Sequence, residues 1–271
     1  MTPLVLPLGL VIGLALGALG GGGSILTVPA LVYLLDQDPR TATTSSLLIV
    51  GVTSLIALVP HARAGRVRVA QGLMFGALGT AGSFAGSALS AHVAPQVLLT
   101  AFAGLMLVVA TLMLRRSLGR DVGTGAEAAD TTTEPILTLH PLTCACPRLV
   151  KVVVTATAVG LLTGFFGVGG GFVLVPALVL ALSFPMPVAV GTSLLVIAVN
   201  SATALAARAS SGGTHLDWAL IAGFTAAAVI GSLLGGRVTS RVAPHHLTRA
   251  FGVLLVVVAL YTAARSIPAL F

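Results

Sequence analysis

GALGGGGSILTVPAL, at residues 17–31, places a glycine cluster between two apolar runs, and it returns as GFFGVGGGFVLVPAL at residues 164–178. The offset between the two copies is a constant 147 residues. Each glycine costs a helix about 1 kcal/mol relative to alanine, so a helix does not continue comfortably through such a cluster. We therefore expect two half-helices with a break between them in each copy. A matching break in both halves of a hydrophobic chain indicates the substrate site of a transporter.

The composition places the chain in a lipid bilayer. Its 271 residues are 56% hydrophobic and only 8% charged, with a mean hydropathy of +1.08. Soluble globular domains carry about 25% charged residues. The 14 lysines and arginines outnumber the seven acids, but they lie between apolar runs, where the positive-inside rule expects them. The distribution of basic residues therefore predicts the orientation of the chain in the membrane. We expect a multi-pass protein of the plasma membrane with no nucleic-acid partner.

The chain divides into two halves of four hydrophobic blocks each, and the first block of each half contains the glycine break. In the first half the blocks are residues 4–35, 41–60, 69–90 and 97–114; in the second they are 152–183, 187–207, 216–234 and 247–267. Pro95 aligns with Pro244 at an offset of 149, so the second copy gains two residues. We predict an all-α integral membrane protein with a first transmembrane repeat at 1–114, a polar cytoplasmic linker at 115–151 and a second transmembrane repeat at 152–271.

The orientation depends on whether each broken block crosses the membrane or returns as a helix hairpin. In the hairpin arrangement, the loops at 61–68, 115–151 and 237–249 share one side. These loops hold every lysine and arginine except Arg40, Arg208 and Arg265. This distribution fits the positive-inside rule slightly better than a single crossing does. Three full crossings per half would then make the halves inverted repeats.

The glycine breaks and the polar residues around them are the candidate binding site. The first amides of a helix have no intrahelical partner and lie at the positive end of its dipole, so they hold anions without a basic side chain. Neighbouring hydroxyls and one carboxamide add donors. The predicted substrate-binding residues are Gly22, Gly23, Ser24, Thr27, Thr44, Ser45, Gly169, Gly170, Gly171, Thr192, Ser193 and Asn200. The alternative is that these glycines only permit close helix packing.

No apolar run contains a carboxylate or a basic residue well inside it. Cation pumps and proton antiporters generally keep a buried carboxylate, so its lack favours an anionic substrate. His61 and His215, at helix ends, could couple protons, although histidines there are more often interfacial. Cys144 and Cys146 with His140 make a poor metal-ligand set in a reducing compartment, and we interpret them as an ordinary loop. No cofactor, metal or enzyme motif is found, so a catalytic activity is not expected.

The arrangement resembles the TauE/SafE family of membrane permeases, often described as sulfite exporters. The residues that carry the resemblance are the two glycine–proline motifs, Gly17 to Pro29 and Gly164 to Pro176, the segments ATTSSL at 42–47 and VGTSL at 190–194, and the internal duplication. The resemblance implies export of sulfite, sulfoacetate or related organosulfur anions. Ser24 occupies the place that Gly171 has in the second copy, so the two half-sites need not be equivalent.

We therefore expect a secondary transporter or facilitator that moves a small sulfur-containing anion out of the cytoplasm by alternating access. Two other classes remain open. One is a carrier of another metabolite or of a cation, and the other is a membrane scaffold that transports nothing. The sequence does not specify the exact anion, a coupling ion or the oligomeric state.

Overall fold

The computed structural model describes residues 4–90, 95–119, 146–166, 171–209 and 216–266, and these ranges form helices without strands. The helices are α1 (Val5–Leu19), α2 (Gly22–Pro29), α3 (Pro39–Arg63), α4 (Val69–Ser90), α5 (Pro95–Gly119), α6 (Cys146–Phe166), α7 (Gly171–Pro176), α8 (Met186–Ala209), α9 (Trp218–Arg241) and α10 (Pro244–Ser266). The short helices α2 and α7 continue into π-helical turns, Ala30–Leu34 and Ala177–Ala181. The predicted all-α fold is confirmed.

Four of the described helices are long and apolar enough to cross a membrane: Thr41–Arg63, Met186–Ala206, Trp218–Thr239 and Pro244–Ala264. Large apolar side chains cover the outside of the bundle; Phe84 is 67% exposed and Leu6 is 62% exposed. In water such a surface would be an aggregation hazard, whereas in lipid it is the expected outer face. The fold is that of an integral membrane protein.

The two halves of the chain form the same series of local structures. Each short helix has a proline, Pro29 or Pro176, directly before its π-helical turn, because proline supplies no N–H for the regular helical ladder. Each turn then ends at a residue with positive φ, 51° at Asp36 and 55° at Ser183. Equivalent backbone hydrogen bonds of 3.0 Å close both turns, from Gln37 to Leu31 and from Phe184 to Leu178.

The first glycine break folds α2 back along α1. A Cβ atom on Gly23 would lie 2.7 Å from the carbonyl oxygen of Ile12 and 2.9 Å from the backbone nitrogen of Leu16. In a continuous helix Gly23 would lie about 16 Å from Ile12 along the axis, since each residue rises 1.5 Å. Gly20, with φ of 70°, supplies the sharp change of direction. The first hydrophobic block is therefore a helix hairpin.

Glycine faces join helices of one half to helices of the other. Cβ atoms on Gly13 and Gly17 of α1 would collide with the backbones of Ala228 and Ser232 in α9. In the same way, a Cβ on Gly164 of α6 would collide with the backbone of Ser83 in α4. Small residues let helices approach closely in lipid, and the helix backbones come into direct contact at these glycines. The pairs α1–α9 and α4–α6 both run parallel.

The helices α3 and α8, which have the same place in the two halves, run antiparallel. Gly191, near the start of α8, contacts His61, near the end of α3, whereas Gly51 and Ser201 meet at the middle of both helices. The end of α3 also lies beside Gly236 near the end of α9, so α3 and α9 run in the same direction. The N-termini of α3 and α9 therefore share one end of the bundle, and their arginine-bearing C-termini share the other.

Several helix ends differ from the expected hydrophobic blocks. The helix α9 continues beyond Leu234 to Arg241, because Gly235 packs against α1 and the Thr239 hydroxyl donates to the Ala18 carbonyl at 3.1 Å. Likewise α5 extends to Gly119 and α6 begins at Cys146. Residues 120–145, including Cys144 and most of the predicted linker, lie outside the described residues, so the linker stays a prediction.

Candidate functional site

The two glycine breaks meet where α2 and α7 begin. The Ser24 side chain, in the first turn of α2, lies against Gly171, so that a Cβ on Gly171 would collide with the Ser24 hydroxyl. A Cβ on Gly20 would lie 2.5 Å from the Ser193 hydroxyl oxygen at the start of α8. The predicted residues Ser24, Gly171 and Ser193 are thereby brought together from three separate segments of the chain.

Three predicted hydroxyls at this junction are buried, and each donates to a backbone carbonyl of its own helix. The Ser24 hydroxyl donates to Gly21 at 2.7 Å, Thr27 to Gly23 at 2.9 Å and Ser193 to Val190 at 2.8 Å. A hydroxyl that donates in this way presents its lone pairs outward, and it can donate to a ligand only by rotating away from the carbonyl. The hydroxyls therefore make the junction polar without adding a charge.

Asn200 instead joins α8 to α4, and Thr192 joins α8 to the loop residue directly before α4. The backbone N–H of Arg68 donates to the Thr192 hydroxyl at 3.2 Å, and the Thr80 hydroxyl donates to the Asn200 carboxamide oxygen at 3.4 Å. Asn200 is only partly buried. These two residues thus have partners between helices, away from the contact between Ser24 and Gly171.

The remaining predicted residues lie on both sides of that contact. Gly22 begins α2, and Gly23 directs its missing Cβ toward α1. Thr44 and Ser45 are buried in the second turn of α3. Gly169 and Gly170 lie outside the described residues. Their part in binding, like that of the other predicted site residues, stays a prediction.

One helix carries a series of buried polar side chains without partners. Along α3, the side chains of Ser45, Thr53, Ser54 and His61 are at most 2% exposed, and within the described residues their polar atoms make no hydrogen bond. Leaving a buried donor or acceptor unsatisfied costs about 1–3 kcal/mol each, so water or a bound solute is expected beside them. Over 16 residues the series spans about 24 Å of helix, close to the thickness of a bilayer core.

The sequence prediction missed Thr53 and Ser54. A usable signal is present, because Ser54 and His61 are seven positions apart and a helix returns close to the same face after seven residues. Thr53 also aligns with the predicted residue Asn200 at the repeat offset of 147. Among the buried polar residues that the structure describes, His61 alone is ionisable near neutral pH, and the others are hydroxyl side chains. The interior is thus polar without a carboxylate, a lysine or an arginine in its described part.

Comparisons with known proteins agree with this architecture. A family model described as "Sulfite exporter TauE/SafE" matches residues 5–262. The chain is 34% identical over 258 residues to a "Probable membrane transporter protein" of Xylella fastidiosa, covering 94% of this chain and 92% of the relative.

A second relative, "Probable membrane transporter protein YunE" of Bacillus subtilis, is 28% identical over 262 residues, which cover 93% of each chain. No solved structure matches significantly. The internal repeat, the paired glycine breaks and the family match over nearly the whole chain lead to one conclusion: the protein belongs to the TauE/SafE family and is a membrane transporter.

Proposed function

We propose that the protein exports a small sulfur-containing anion, such as sulfite, sulfoacetate or a related sulfonate, across the plasma membrane. The observation that carries the proposal is the meeting of the two glycine breaks, with Ser24 against Gly171 and Gly20 against Ser193. Among the described residues, this junction contains backbone amides and hydroxyls, and no charged side chain. The backbone amides at the helix starts stabilise a negative guest, and the hydroxyls add donors to it once they rotate away from their carbonyls.

The helix starts at the junction supply the electrostatic part of binding. The helix α2 begins at Gly22 with no side-chain cap, so its first N–H groups have no intrahelical acceptor. The dipole of a helix places roughly half a positive charge at this end. In a membrane interior, where water does not screen it, such a partial charge acts over a longer distance. An oxyanion with several acceptor oxygens suits these converging donors.

The antiparallel arrangement of α3 and α8 supports alternating access by inverted repeats. Equivalent helices that run in opposite directions are what inverted repeats require, and in such transporters one repeat rocks against the other around a central site. The parallel glycine-mediated pairs α1–α9 and α4–α6 each join a helix of one half to a helix of the other. We propose that these pairs move as units during the transport cycle.

The charge distribution supports the direction of transport. The C-terminal ends of α3 and α9 carry Arg63, Arg237 and Arg241, and the loop after α3 carries Arg66 and Arg68. By the positive-inside rule this end faces the cytoplasm. An interior-negative membrane potential favours expulsion of a monovalent anion by about 2.3 kcal/mol per 100 mV. Export is therefore energetically allowed without a coupling ion.

Flux measurements in proteoliposomes of purified protein test the proposal. Liposomes loaded with sulfite, with an imposed interior-negative potential, should lose sulfite faster than protein-free liposomes, and the loss should slow when the potential is abolished. Parallel liposomes loaded with sodium or nickel should show no protein-dependent loss. Protein-dependent movement of a cation without sulfite or sulfonate flux would refute the anion assignment, and no flux of any solute would favour a scaffold.

A further inference from the structure

His61 is buried at the arginine-rich end of the bundle, and among the described residues its ring meets the geometric criteria for a hydrogen bond with none. It lies in the last turn of α3 and is 2% exposed. Its ring approaches the backbone of Gly17 in α1, but neither ring nitrogen reaches hydrogen-bonding geometry with any atom of the described residues. An imidazole always carries at least one N–H donor. Burying that donor unpaired costs about 1–3 kcal/mol, so something outside the chain is expected to satisfy it.

Three helices approach His61 through glycines, and the surroundings of the ring formed by Gly17, Gly191 and Gly236 are the His61 recess. Gly17 belongs to α1, beside the first glycine break. A Cβ on Gly191 of α8 would lie 3.2 Å from the Cβ of His61, and a Cβ on Gly236 of α9 would lie 3.8 Å from its Nε2. Gly191 directly precedes Thr192 and Ser193, so the recess adjoins the junction described above.

The charges around this recess favour an anion. Arg63 belongs to the same helix, Arg66 and Arg68 to the following loop, and Arg237 and Arg241 to the end of α9. The N–H of Arg66 donates to the carbonyl of His61 at 3.0 Å, which holds this loop against the helix end. The helix α1 and the first turns of α8 contain no charged residue.

Carboxylates lie far from the recess in the part of the chain that the structure describes. Asp36 and Asp38 precede α3, and Asp217 precedes α9, so all three lie at the opposite end of these parallel helices. A cleft lined by one sign of charge concentrates ions of the other sign.

The second half of the chain carries an arginine at the equivalent position. With the repeat offset of 147, His61 corresponds to Arg208, in the last turn of α8. Because α3 and α8 run antiparallel, these two positions lie toward opposite ends of the bundle. Arginine is the residue most often used to bind oxyanions. A hydrogen-bond donor for an anion therefore occurs at the same place in both repeats.

We infer that His61 is a second oxyanion contact, which an anion meets at the arginine-rich end on its way to the glycine junction. The inference rests on the proposed anion transport. It adds a binding position outside the predicted site, and it adds a route along α3 from His61 to the glycine junction. The imidazole N–H donates to an oxygen of the anion, and Ser54 lies two helical turns deeper on the same face.

Cysteine labelling tests the position without relying on sulfite flux. In a background with Cys144 and Cys146 replaced by serine, His61→Cys is treated with an anionic sulfonatoethyl methanethiosulfonate and with its cationic trimethylammonioethyl analogue. We expect labelling by the sulfonate at least about tenfold faster than by the cation, since about 1.4 kcal/mol of favourable interaction corresponds to that ratio. Met113→Cys is the matched control, because Met113 is fully buried near the C-terminal end of α5. This variant should stay unlabelled.

Transport by two substitutions tests the donor itself. His61→Gln keeps an N–H donor and should export sulfite with an apparent KM near wild type. His61→Leu lacks the donor and should raise the apparent KM about tenfold, as expected for one lost hydrogen bond to a charged group, with an unchanged melting temperature.

The outcomes separate the two proposals. Labelling of His61→Cys without sulfite flux in the wild type would refute the proposed substrate and leave the position of His61 supported. Sulfite flux combined with His61→Cys labelling no faster than Met113→Cys would refute this inference. Equal KM values for His61→Leu and wild type would refute it as well.

Discussion

Exchanging Ser24 and Gly171 tests directly whether the two glycine breaks touch. These residues occupy equivalent positions in the two repeats, and the Ser24 side chain fills the space that Gly171 leaves. In the double variant Ser24→Gly with Gly171→Ser, the serine and the glycine change places across the contact. If the contact is real, the serine at 171 gains the space that the missing side chain at 24 vacates.

The structure sets the magnitudes of the single changes. Gly171→Ser alone forces its Cβ onto the Ser24 hydroxyl and within 3.1 Å of the Ile197 Cδ1, and overpacking of this kind costs about 1–3 kcal/mol. Ser24→Gly alone loses the hydrogen bond to Gly21, worth about 0.5–1.5 kcal/mol, and adds a helical glycine at about 1 kcal/mol. The double variant removes the collision, so its free energy of unfolding should exceed the additive value by at least about 1 kcal/mol.

The assay is a double-mutant cycle on detergent-purified protein, with the midpoint of thermal unfolding and sulfite flux measured for all four proteins. One kcal/mol corresponds to roughly 2–4 °C in the midpoint for a chain near this length. We expect a positive coupling in stability and partial recovery of flux in the exchanged variant. Additive effects, with no coupling within error, would show that Ser24 and Gly171 do not contact each other in the folded protein.

Two further predictions concern the scaffold. Gly164→Ala should lower the free energy of unfolding by about 1–3 kcal/mol, because its Cβ would collide with the Ser83 backbone. Gly104→Ala, with no atom within 4 Å of the new Cβ, should raise the free energy of unfolding by about 0.5–1 kcal/mol. Thermal unfolding of both variants tests this difference, and equal effects would contradict the glycine-mediated packing. Asp217→Ala should lower the free energy of unfolding by about 0.5–2 kcal/mol, since the carboxylate accepts from the N–H groups of Ala219 and Leu220 at 3.1 Å. An unchanged midpoint of thermal unfolding with wild-type flux would show that this cap is dispensable.

The elements of the fold follow from the sequence because their signals are local and occur twice. The glycine clusters and the prolines Pro29 and Pro176 recur at one offset, and each cluster exceeds what a continuous helix tolerates. A pattern that is weak in one copy gains weight when the second copy repeats it, which is why the broken first blocks were predictable.

The neighbours of each glycine were not predictable, since they depend on tertiary packing. The sequence favours Gly23 as a substrate contact, but the structure turns its Cβ position toward Ile12 and Leu16, so that bulk there would open the hairpin. The positive φ values of Asp36 and Ser183 are also hidden, because neither residue is a glycine. The unpartnered side chains of α3 become visible only once the packing of that helix is known.

The most direct test of the anion site uses selenite, whose geometry and charge resemble those of sulfite and whose selenium can be located by anomalous scattering. In crystals of the purified protein grown with selenite, we expect a selenium peak between the start of α2 and Gly171, within hydrogen-bonding reach of the first backbone N–H groups of α2. Dry packing of both glycine breaks, with selenium ordered only elsewhere, would contradict the account.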